Sequence, residues 1–196
     1  IVNKNLHLVA ELADGRRIVG QHLITGREVP PIKSPIQNIF LTDNPEDPKP
    51  SRPRLRRKIS ELIAGAELIC YPMGSFYSSV LANLLPSGVA EAVAGNDCPK
   101  IYIPNTGRDF ESLGLNLGSA TAKLLQFLQQ GLEKPAPVAS LLNFVLLDSR
   151  RADFAGRENI ERLEKMGVKI IQAELTTHDD QYLNPQKLCD VLLSLV

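Results

Sequence analysis

The amino-acid sequence predicts an α/β fold: a mostly parallel, Rossmann-like sheet covered by helices, with an antiparallel β-hairpin at its N-terminal end. From residue 67 onward, short apolar runs suited to buried strands alternate with amphipathic helical segments. Alternation of this kind favours crossover units and a parallel strand order. The hairpin is indicated by two strand-like runs that flank Asp14-Gly15, a residue pair typical of a tight turn.

The composition is that of an ordinary globular domain. The chain has 196 residues, of which 43% are hydrophobic and 22% are charged, which is enough for one α/β domain with a buried core. We predict a single domain over residues 1–196, with the hairpin and a linker at 1–35 and the βα units at 36–196. The chain begins at Ile1 without a methionine and reads at once as a strand, so we expect the later portion of a longer protein.

The charges are balanced, and this limits the classes of partner. Lys plus Arg and Asp plus Glu both number 22, which argues against nucleic acid or an anionic membrane as the partner. No apolar run approaches the roughly 20 residues of a membrane-spanning helix. Cys70, Cys98 and Cys189 form no C-x-x-C pair, so reduced thiols in a cytoplasmic protein are the simplest account.

The hairpin joins the predicted strands Leu6–Leu12 and Arg16–Ile24. A two-residue loop at Asp14-Gly15 would pair Ala13 with Arg16 and place His7 opposite His22. Two facing imidazoles could bind a metal ion, but no third ligand is evident, and ordinary cross-strand neighbours are favoured.

A proline-rich connection and a basic run follow. Ile36–Leu41 is predicted to be a short buried strand, and residues 42–53 an extended surface loop with four prolines. Arg52, Arg54, Arg56, Arg57 and Lys58 then lead into a helix over Arg54–Ala64. The basic run could contact an acidic ligand or partner, but a solvated helix start is favoured.

The central stretch of the chain runs from Glu67 to Gly95. It predicts a strand at Glu67–Tyr71, a turn at Pro72–Ser75, a helix from Phe76 that Pro86 ends, and a second helix at Val89–Ala94. A glycine-serine turn between a strand and a helix leaves free amides that favour an anion such as phosphate. The alternative is that Gly74 and Ser75 only turn and cap the chain.

The later elements continue the alternation. We predict strands at Lys100–Pro104, Asn143–Leu147 and Val168–Ala173, and helices at Leu115–Gln130, Arg157–Met166 and Pro185–Val196. In sheets of this type ligands bind beyond the carboxyl ends of the strands. That edge would collect the turn at Gly74, the loop Asn105–Gly114 after the second parallel strand, and Asp148, Arg150 and Arg151 after the third.

The central stretch resembles a signature of the CofD-like family, which comprises 2-phospho-L-lactate transferase and its bacterial relatives. The family pattern is G-P-G-S-x-Y-[TS]-S-x-x-x-N-L-L-x-x-G-[IV]-x-E-A-I. The matching positions, in order, are Gly74, Ser75, Tyr77, Ser78, Ser79, Asn83, Leu84, Leu85, Gly88, Val89, Glu91, Ala92 and Val93. At the front, Tyr71-Pro72-Met73 stands where the family has Gly-Pro.

The resemblance extends loosely over nearly all of the C-terminal half of a family member. Residues 10–15 are similar to a family segment that contains Asp-Gly, and Asn105 follows its strand as in the family. The loop beyond Asn105 departs from the family's Met-Thr-Gln-Pro-Gly-Glu-Thr. The family's nucleotide-binding first glycine loop and its catalytic aspartate would belong to the other half, so no catalytic residue is named here.

The resemblance implies a nucleotide ligand. The expected phosphate- and nucleotide-binding residues are Gly74, Ser75, Tyr77, Ser78, Ser79, Asn83, Asn105 and Arg108. Arg108 could clamp a phosphate through two hydrogen bonds. Asp109 or Glu111 could hold Mg²⁺, although a solvated loop is the favoured account of both carboxylates.

Two functions follow from the resemblance. One is transfer of a phospholactate-type group from a GDP-type donor, with magnesium. The other is a non-catalytic regulator of carbon metabolism or cell-wall synthesis that binds a UDP-sugar. The state of assembly is left open, with a homodimer as one option.

Overall fold

Two separate sheets organise the protein. The computed structural model describes residues 2–26, 29–107, 109–150, 156–177 and 182–196. In these ranges a three-stranded antiparallel sheet precedes a four-stranded parallel one. The expected α/β architecture is therefore confirmed, and the antiparallel sheet contains a third strand in addition to the predicted hairpin.

The antiparallel sheet is built from β1 (His7–Leu12), β2 (Arg17–Val19) and β3 (Ile36–Thr42) in the order β2-β1-β3. A short helix, α1 (Gln21–Ile24), follows β2. The strand predicted at Ile36–Leu41 is present, but it pairs with β1 and extends this sheet. The division of the chain into residues 1–35 and 36–196 stays a prediction. In the structure β3, which lies in the second part, pairs with β1 of the first part.

The predicted register of the hairpin is wrong by one residue. Val9 faces Val19 and Ala10 faces Ile18, and the amide of Leu12 donates to the carbonyl of Arg16 at 2.9 Å. The loop therefore has three residues, with Gly15 at φ +85°, the arrangement of a turn closed by a glycine bulge. His22 lies in α1, so it does not face His7.

The parallel sheet consists of β4 (Ile69–Tyr71), β5 (Lys100–Tyr102), β6 (Phe144–Asp148) and β7 (Lys169–Ala173), in chain order. Each neighbouring pair is parallel. The strands fall inside or within one residue of the predicted ranges, because each contains a short apolar run. The two central strands, β5 and β6, are the most buried.

The helices after the antiparallel sheet are α2 (Arg57–Ala64), α3 (Val89–Ala94), α4 (Leu117–Gly131), α5 (Arg157–Lys165) and α6 (Pro185–Leu193). Of these, α3, α4 and α5 connect successive parallel strands, whereas α2 precedes β4 and α6 follows β7. The helix predicted from Arg54 begins only at Arg57. Residues 51 and 54 form bridges with Leu41 and Ser87, which holds the chain extended up to that point.

The segment after β4 forms no regular α-helix. Phe76–Val80 is one turn of π-helix and Leu81–Leu84 is a 3₁₀ helix. Pro86 ends this segment, and α3 occupies the range predicted for it. π-turns are rare and are found mostly at special sites, and apolar spacing alone does not distinguish them from an α-helix.

Successive residues of the central strands point into two different cores. Tyr102 and Val145 pack in the large core that also contains residues of α3 and α4. Ile101 and Leu146 pack on the other face, against Leu188 and Leu192 of α6. The parallel sheet is therefore packed on both of its faces.

None of the helices in the described ranges combines the length and apolar character needed to cross a bilayer. All three cysteines are unpaired thiols. Burial raises the pKa of the Cys70 thiol, with a smaller contribution from Cys98.

Candidate functional site

A cavity of about 480 Å³ lies at the carboxyl ends of β5 and β6. It is the place where the strand topology predicts a ligand site. One wall is apolar and the loop after β5 forms the rim. The lining residues are Phe76, Tyr102, Ile103, Pro104, Asn105, Thr106, Gly107, Asp109, Ser112, Leu115, Asn116, Leu117, Ala120, Leu146, Leu147, Asp148, Leu175 and Leu183.

Asn105 fastens the turn after β4 to this rim. Its carboxamide accepts a hydrogen bond from the Gly74 amide at 2.8 Å and donates to the Gly74 carbonyl at 2.6 Å. The reciprocal pair holds the two loops in a fixed relation. The structure thus brings Gly74 and Asn105 together at one edge of the sheet, where the strand order predicts them to meet.

The amides at the start of the π-turn are occupied, contrary to the expectation of free donors. The Phe76 amide donates to Asp109 at 2.8 Å. The amides of Tyr77 and Ser78 donate to one oxygen of Glu111 at 2.9 and 2.7 Å, and the Ser78 hydroxyl donates to the other at 2.5 Å. The anion that such a terminus attracts is thus supplied by the protein itself.

The prediction that Glu111 lies in a solvated loop is wrong. The residue is 1% exposed, inside a short 3₁₀ turn, Phe110–Ser112. Burial raises the pKa of Glu111, while the hydrogen bonds from Ser78 and Tyr77 lower it and the nearby Asp109 charge raises it further. The balance favours the protonated acid more than in water.

Asp109 is held as firmly as Glu111. In addition to the Phe76 amide, it accepts the Ser112 hydroxyl at 2.9 Å and the Glu111 amide at 3.1 Å. The sequence pattern Asp-x-Glu, directly after a glycine-containing loop, could have indicated that these carboxylates accept hydrogen bonds from main-chain amides. Sequence reasoning misses it because the partners lie more than thirty residues earlier in the chain.

The expected phosphate-binding residues divide into two groups. Tyr77 and Ser78 are buried, and the Tyr77 hydroxyl donates to the Ile36 carbonyl at 2.8 Å, so both have structural roles here. Ser79 and Asn83 are exposed and Gly74 and Ser75 are half-buried. Ser79 lies beside Gly74, since a methyl group on Gly74 would sit 3.6 Å from its Cβ.

Ser75 keeps donors available toward solvent. Within the described ranges, its amide and its hydroxyl have no hydrogen-bond partner in the protein, and it makes no side-chain cap. The Asn83 carboxamide donates to the Ser79 carbonyl at 2.6 Å, which orders this surface. We call Gly74, Ser75, Ser79 and Asn83 the serine patch.

Asp148 closes the far side of the cavity at the end of β6. It is 5% exposed and accepts the Thr176 hydroxyl at 2.6 Å and the Leu175 amide at 3.1 Å. Burial acts to raise the pKa of Asp148, but these hydrogen bonds outweigh it and the pKa is lowered. The carboxylate therefore stays charged and locks β6 to the segment after β7.

The basic candidates are only partly described. Arg108 lies outside the described residues, as does Arg151. The neighbours of Arg108 in sequence, Gly107 and Asp109, both line the cavity. Arg150 pairs with Glu174 at 2.8 Å.

The carboxylates at the cavity fit a magnesium site poorly. Asp109 and Asp148 each accept several hydrogen bonds from the protein, and Glu111 is enclosed. Among the described residues, no group of three or more His, Cys, Asp or Glu side chains could hold a metal ion. We therefore derive no chemical step through magnesium.

Comparison with known proteins gives a consistent result. The family model for CofD, described as 2-phospho-L-lactate transferase, matches residues 1–176. A putative gluconeogenesis factor from Nostoc is 32% identical over 96% of this chain and 41% of its own length. The gluconeogenesis factor of Bacillus subtilis is 26% identical over 99% of this chain and 59% of its own length.

The fold is also shared with solved structures. A crystal structure of a Bacillus halodurans protein of the upf0052 family has a TM-score of 0.74 and 23% identity, over 98% of this chain and 60% of its own. At that identity the likeness concerns the fold alone. The chain spans between about two fifths and three fifths of the length of these relatives.

Proposed function

Because the chain belongs to the CofD family, we propose that it binds a nucleoside diphosphate or a nucleotide sugar in the cavity at the carboxyl edge of its parallel sheet. The observation that carries this proposal is the cavity itself. Its volume of about 480 Å³ lies within the usual range of small-molecule sites. It also sits where the fold places ligands in open α/β sheets.

The base and sugar would use the apolar wall. Phe76, Tyr102 and Leu117 are among its lining residues, and aromatic and aliphatic surfaces of this kind suit a planar ring. Asn105 is a positioning residue, since its carboxamide oxygen and nitrogen are both committed to Gly74.

The phosphates would lie on the serine patch. The free Ser75 amide and the hydroxyls of Ser75 and Ser79 offer neutral donors there, whereas the next three amides are taken by Asp109 and Glu111. The described lining carries two carboxylates, Asp109 and Asp148, so a diphosphate needs a cation. Arg108 is our candidate for that cation, because an arginine can bind phosphate through two parallel hydrogen bonds.

Between the two candidate activities we favour the binding role, because several relatives carry names that suit it and no described carboxylate of the cavity is assigned as a catalyst. An acid–base catalyst needs a titratable side chain that can reach the substrate. The carboxylates of the cavity are instead engaged in hydrogen bonds that hold loops together. Several relatives are named gluconeogenesis factors, which accords with a regulator of carbon metabolism.

The first experiment tests the phosphate position with two small substitutions. Gly74→Ala should fold normally, because the new methyl group meets only Ser79 at 3.6 Å and Gly74 has ordinary backbone angles. We expect Ser75→Ala to weaken nucleotide binding by about tenfold in calorimetric titration, the equivalent of one lost phosphate contact, and Gly74→Ala to weaken it by a similar factor because its methyl group obstructs the approach of the phosphate.

Ser194→Ala serves as the control, since this exposed hydroxyl near the C-terminus lies far along the chain from the cavity and bonds only Val191. Unchanged affinity in both Gly74→Ala and Ser75→Ala would refute the phosphate assignment. Replacing Arg108 with alanine should cost more than either change, as it removes the proposed cation.

The second experiment separates the two activities by ligand. The melting temperature of the protein is measured with GDP, UDP and UDP-sugars, since a ligand that binds only the folded state raises it. A shift with UDP-sugars alone supports the regulator, and a shift with GDP alone supports the transferase.

A further inference from the structure

A second cavity, of about 560 Å³, lies between β3, the segment around Ser51 and the C-terminal half of α4. It shares no lining residue with the first cavity. Its walls are more polar, and neither the family resemblance nor the proposed nucleotide site accounts for it.

The floor of this second cavity offers main-chain hydrogen-bonding groups. The Leu8 carbonyl accepts a hydrogen bond from the Gly20 amide, which lies on the β2 side of β1. The main-chain N–H and C=O groups of the even-numbered residues of β1 therefore point toward β2. Ile39 opposes Ala10, and its amide and carbonyl must therefore point away from β1. Two residues further along β3, the Leu41 carbonyl accepts a hydrogen bond from the Ser51 amide at 2.7 Å, on the side away from β1. Because alternate residues of a strand point their main-chain groups to the same side, this agrees with the direction inferred for Ile39.

Ile39 therefore has an unpaired main-chain donor and acceptor at the wall of the second cavity. The whole residue, main chain included, is 2% exposed, and in the described ranges its amide and carbonyl have no hydrogen-bond partner on that side of the strand. Two carboxamides on α4, those of Gln126 and Gln130, line the opposite wall without a protein partner among the same residues. Groups of this kind bind hydroxyls, which both donate and accept.

The charge of the cavity is positive. Glu11 accepts two hydrogen bonds from Arg17, at 3.0 and 2.7 Å, and one from Asn38 at 3.0 Å, so this ion pair is internally compensated. The hydrogen bond from Asn38, opposed by partial burial and aided by Arg17, lowers the pKa of Glu11. Arg17 also stacks over the Phe40 ring at 5.7 Å.

Arg52 provides the remaining charge. It lines the cavity, and within the described ranges no carboxylate lies close enough to pair with it. A guanidinium without a partner at the mouth of a polar cavity is suited to a phosphate group.

We propose that this second cavity binds a phosphorylated sugar or polyol. Arg52 would hold the phosphate, and the Ile39 main chain with Gln126 and Gln130 would hold the hydroxyls. The site is independent of the nucleotide site, because the two cavities are lined by different residues.

The test compares Arg52, which lines the second cavity, with Arg54, which does not. Arg52 and Arg54 are both exposed and lie two residues apart, but only Arg52 lines the cavity. Hexose, pentose and glycerol phosphates, with glucose and inorganic phosphate as partial ligands, are titrated calorimetrically into the protein and into Arg52→Gln, Arg54→Gln and Gln130→Leu.

We expect one of the sugar phosphates to bind at least tenfold more tightly than glucose or inorganic phosphate. Arg52→Gln should weaken it at least tenfold and Gln130→Leu severalfold, whereas Arg54→Gln should change it less than twofold. Gly74→Ala should leave this affinity unchanged, so that failure of the nucleotide site and failure of this site are distinguishable.

Three results would overturn the proposal. The first is no binding of any phosphorylated compound at millimolar concentration. The second is equal loss in Arg52→Gln and Arg54→Gln, which would indicate diffuse attraction by the basic run. The third is inorganic phosphate binding as tightly as the sugar phosphates, which would mean that the hydroxyl contacts contribute nothing.

Discussion

At the scale of single residues, the central finding is that Asp109 and Glu111 occupy the donors of the turn after β4. A helix terminus in this position is attractive to external anions, but here two side chains from the next loop satisfy it. In the described portion of this turn, Ser75 is left to offer a main-chain donor toward solvent. The serine patch therefore depends on side-chain hydroxyls more than the sequence pattern suggests.

Glu111 gives a prediction about pH. Its pKa is raised in the folded protein, above all by burial, so its favourable contribution is complete below the ordinary glutamate value of about 4.3 and declines as the pH rises through the folded value. Glu111→Gln removes this titration while keeping an acceptor. The free energy of unfolding of the parent, minus that of Glu111→Gln, should therefore fall from pH 4 toward neutrality, as followed by urea denaturation.

Two further variants complete that test. Glu111→Ala leaves three buried donors without an acceptor and should cost about 3 kcal/mol at neutral pH. Asp148→Asn should behave in the opposite way, because the lowered pKa of Asp148 adds stability that is present near neutrality and is lost as the pH falls. Parallel pH curves for the parent and Glu111→Gln would contradict the assignment.

The sequence could not supply these residue-scale contacts. A local rule predicts that Ser75 caps the helix with its own hydroxyl, yet no side-chain cap forms. The acceptors come instead from residues 109 and 111, which lie beside the turn because β5 pairs with β4. Local patterns carry no information about such partners.

At the scale of elements, the contact between α3 and α4 is close at one point. A methyl group on Gly131 would lie 2.7 Å from the Cβ of Ala90, which is 1% exposed. We expect Gly131→Ala to destabilise the protein by about 1 to 3 kcal/mol through overpacking, despite the better helix propensity of alanine.

A double-mutant cycle measured by denaturant unfolding isolates this contact. Ala90→Gly in the Gly131→Ala background should restore some of the lost stability, since the two methyl groups would no longer collide. Gly65→Ala, whose new methyl would meet nothing nearer than 3.4 Å, is the control. Strict additivity of Ala90→Gly and Gly131→Ala would show that the helices separate freely there.

The existence of the elements is predictable from the sequence, and their ends are less so. The parallel strands and the longer helices follow from apolar periodicity, and α3 occupies the range predicted for it after Pro86. The hairpin register fails because Gly15 adopts a positive φ that adds a third residue to the loop. The start of α2 fails because Leu41 and Ser87 hold the preceding residues extended.

At the scale of the whole molecule, the two sheets are joined through the π-turn. The Tyr77 hydroxyl donates to the carbonyl of Ile36 in β3 at 2.8 Å, and Gln21 donates to the Ser78 carbonyl at 3.3 Å. Tyr77 is fully buried. The antiparallel sheet is thus anchored to the same turn that borders the nucleotide cavity.

The contribution of this hydrogen bond to stability can be measured by removing the hydroxyl oxygen of Tyr77. Tyr77→Phe should lower the free energy of unfolding by about 1 to 2 kcal/mol, because the Ile36 carbonyl loses a buried partner. Burial raises the pKa of Tyr77 to about 12, so the difference should persist through neutral pH and be lost only as the pH rises toward that value. Tyr182→Phe, at 80% exposure, is the control, and an equal effect of both changes would deny the anchor.

The architecture as a whole is within reach of the sequence, but the cavities are not. Alternating strands and helices indicate a parallel sheet and the edge where ligands bind. The second cavity depends on β3 joining β1, a pairing between residues 36–42 and 7–12 that no local pattern specifies. The main-chain groups in the floor of this cavity point away from β1 because of the register in which β1 and β3 pair.

The paired loops after β4 and β5 have a consequence for motion. Asn105, Asp109 and Glu111 all bond to residues 74–78, so neither loop can be displaced while the other stays in place. The rim of the cavity between β5 and β6 is therefore a single rigid unit, because separating its two loops requires the simultaneous rupture of these hydrogen bonds.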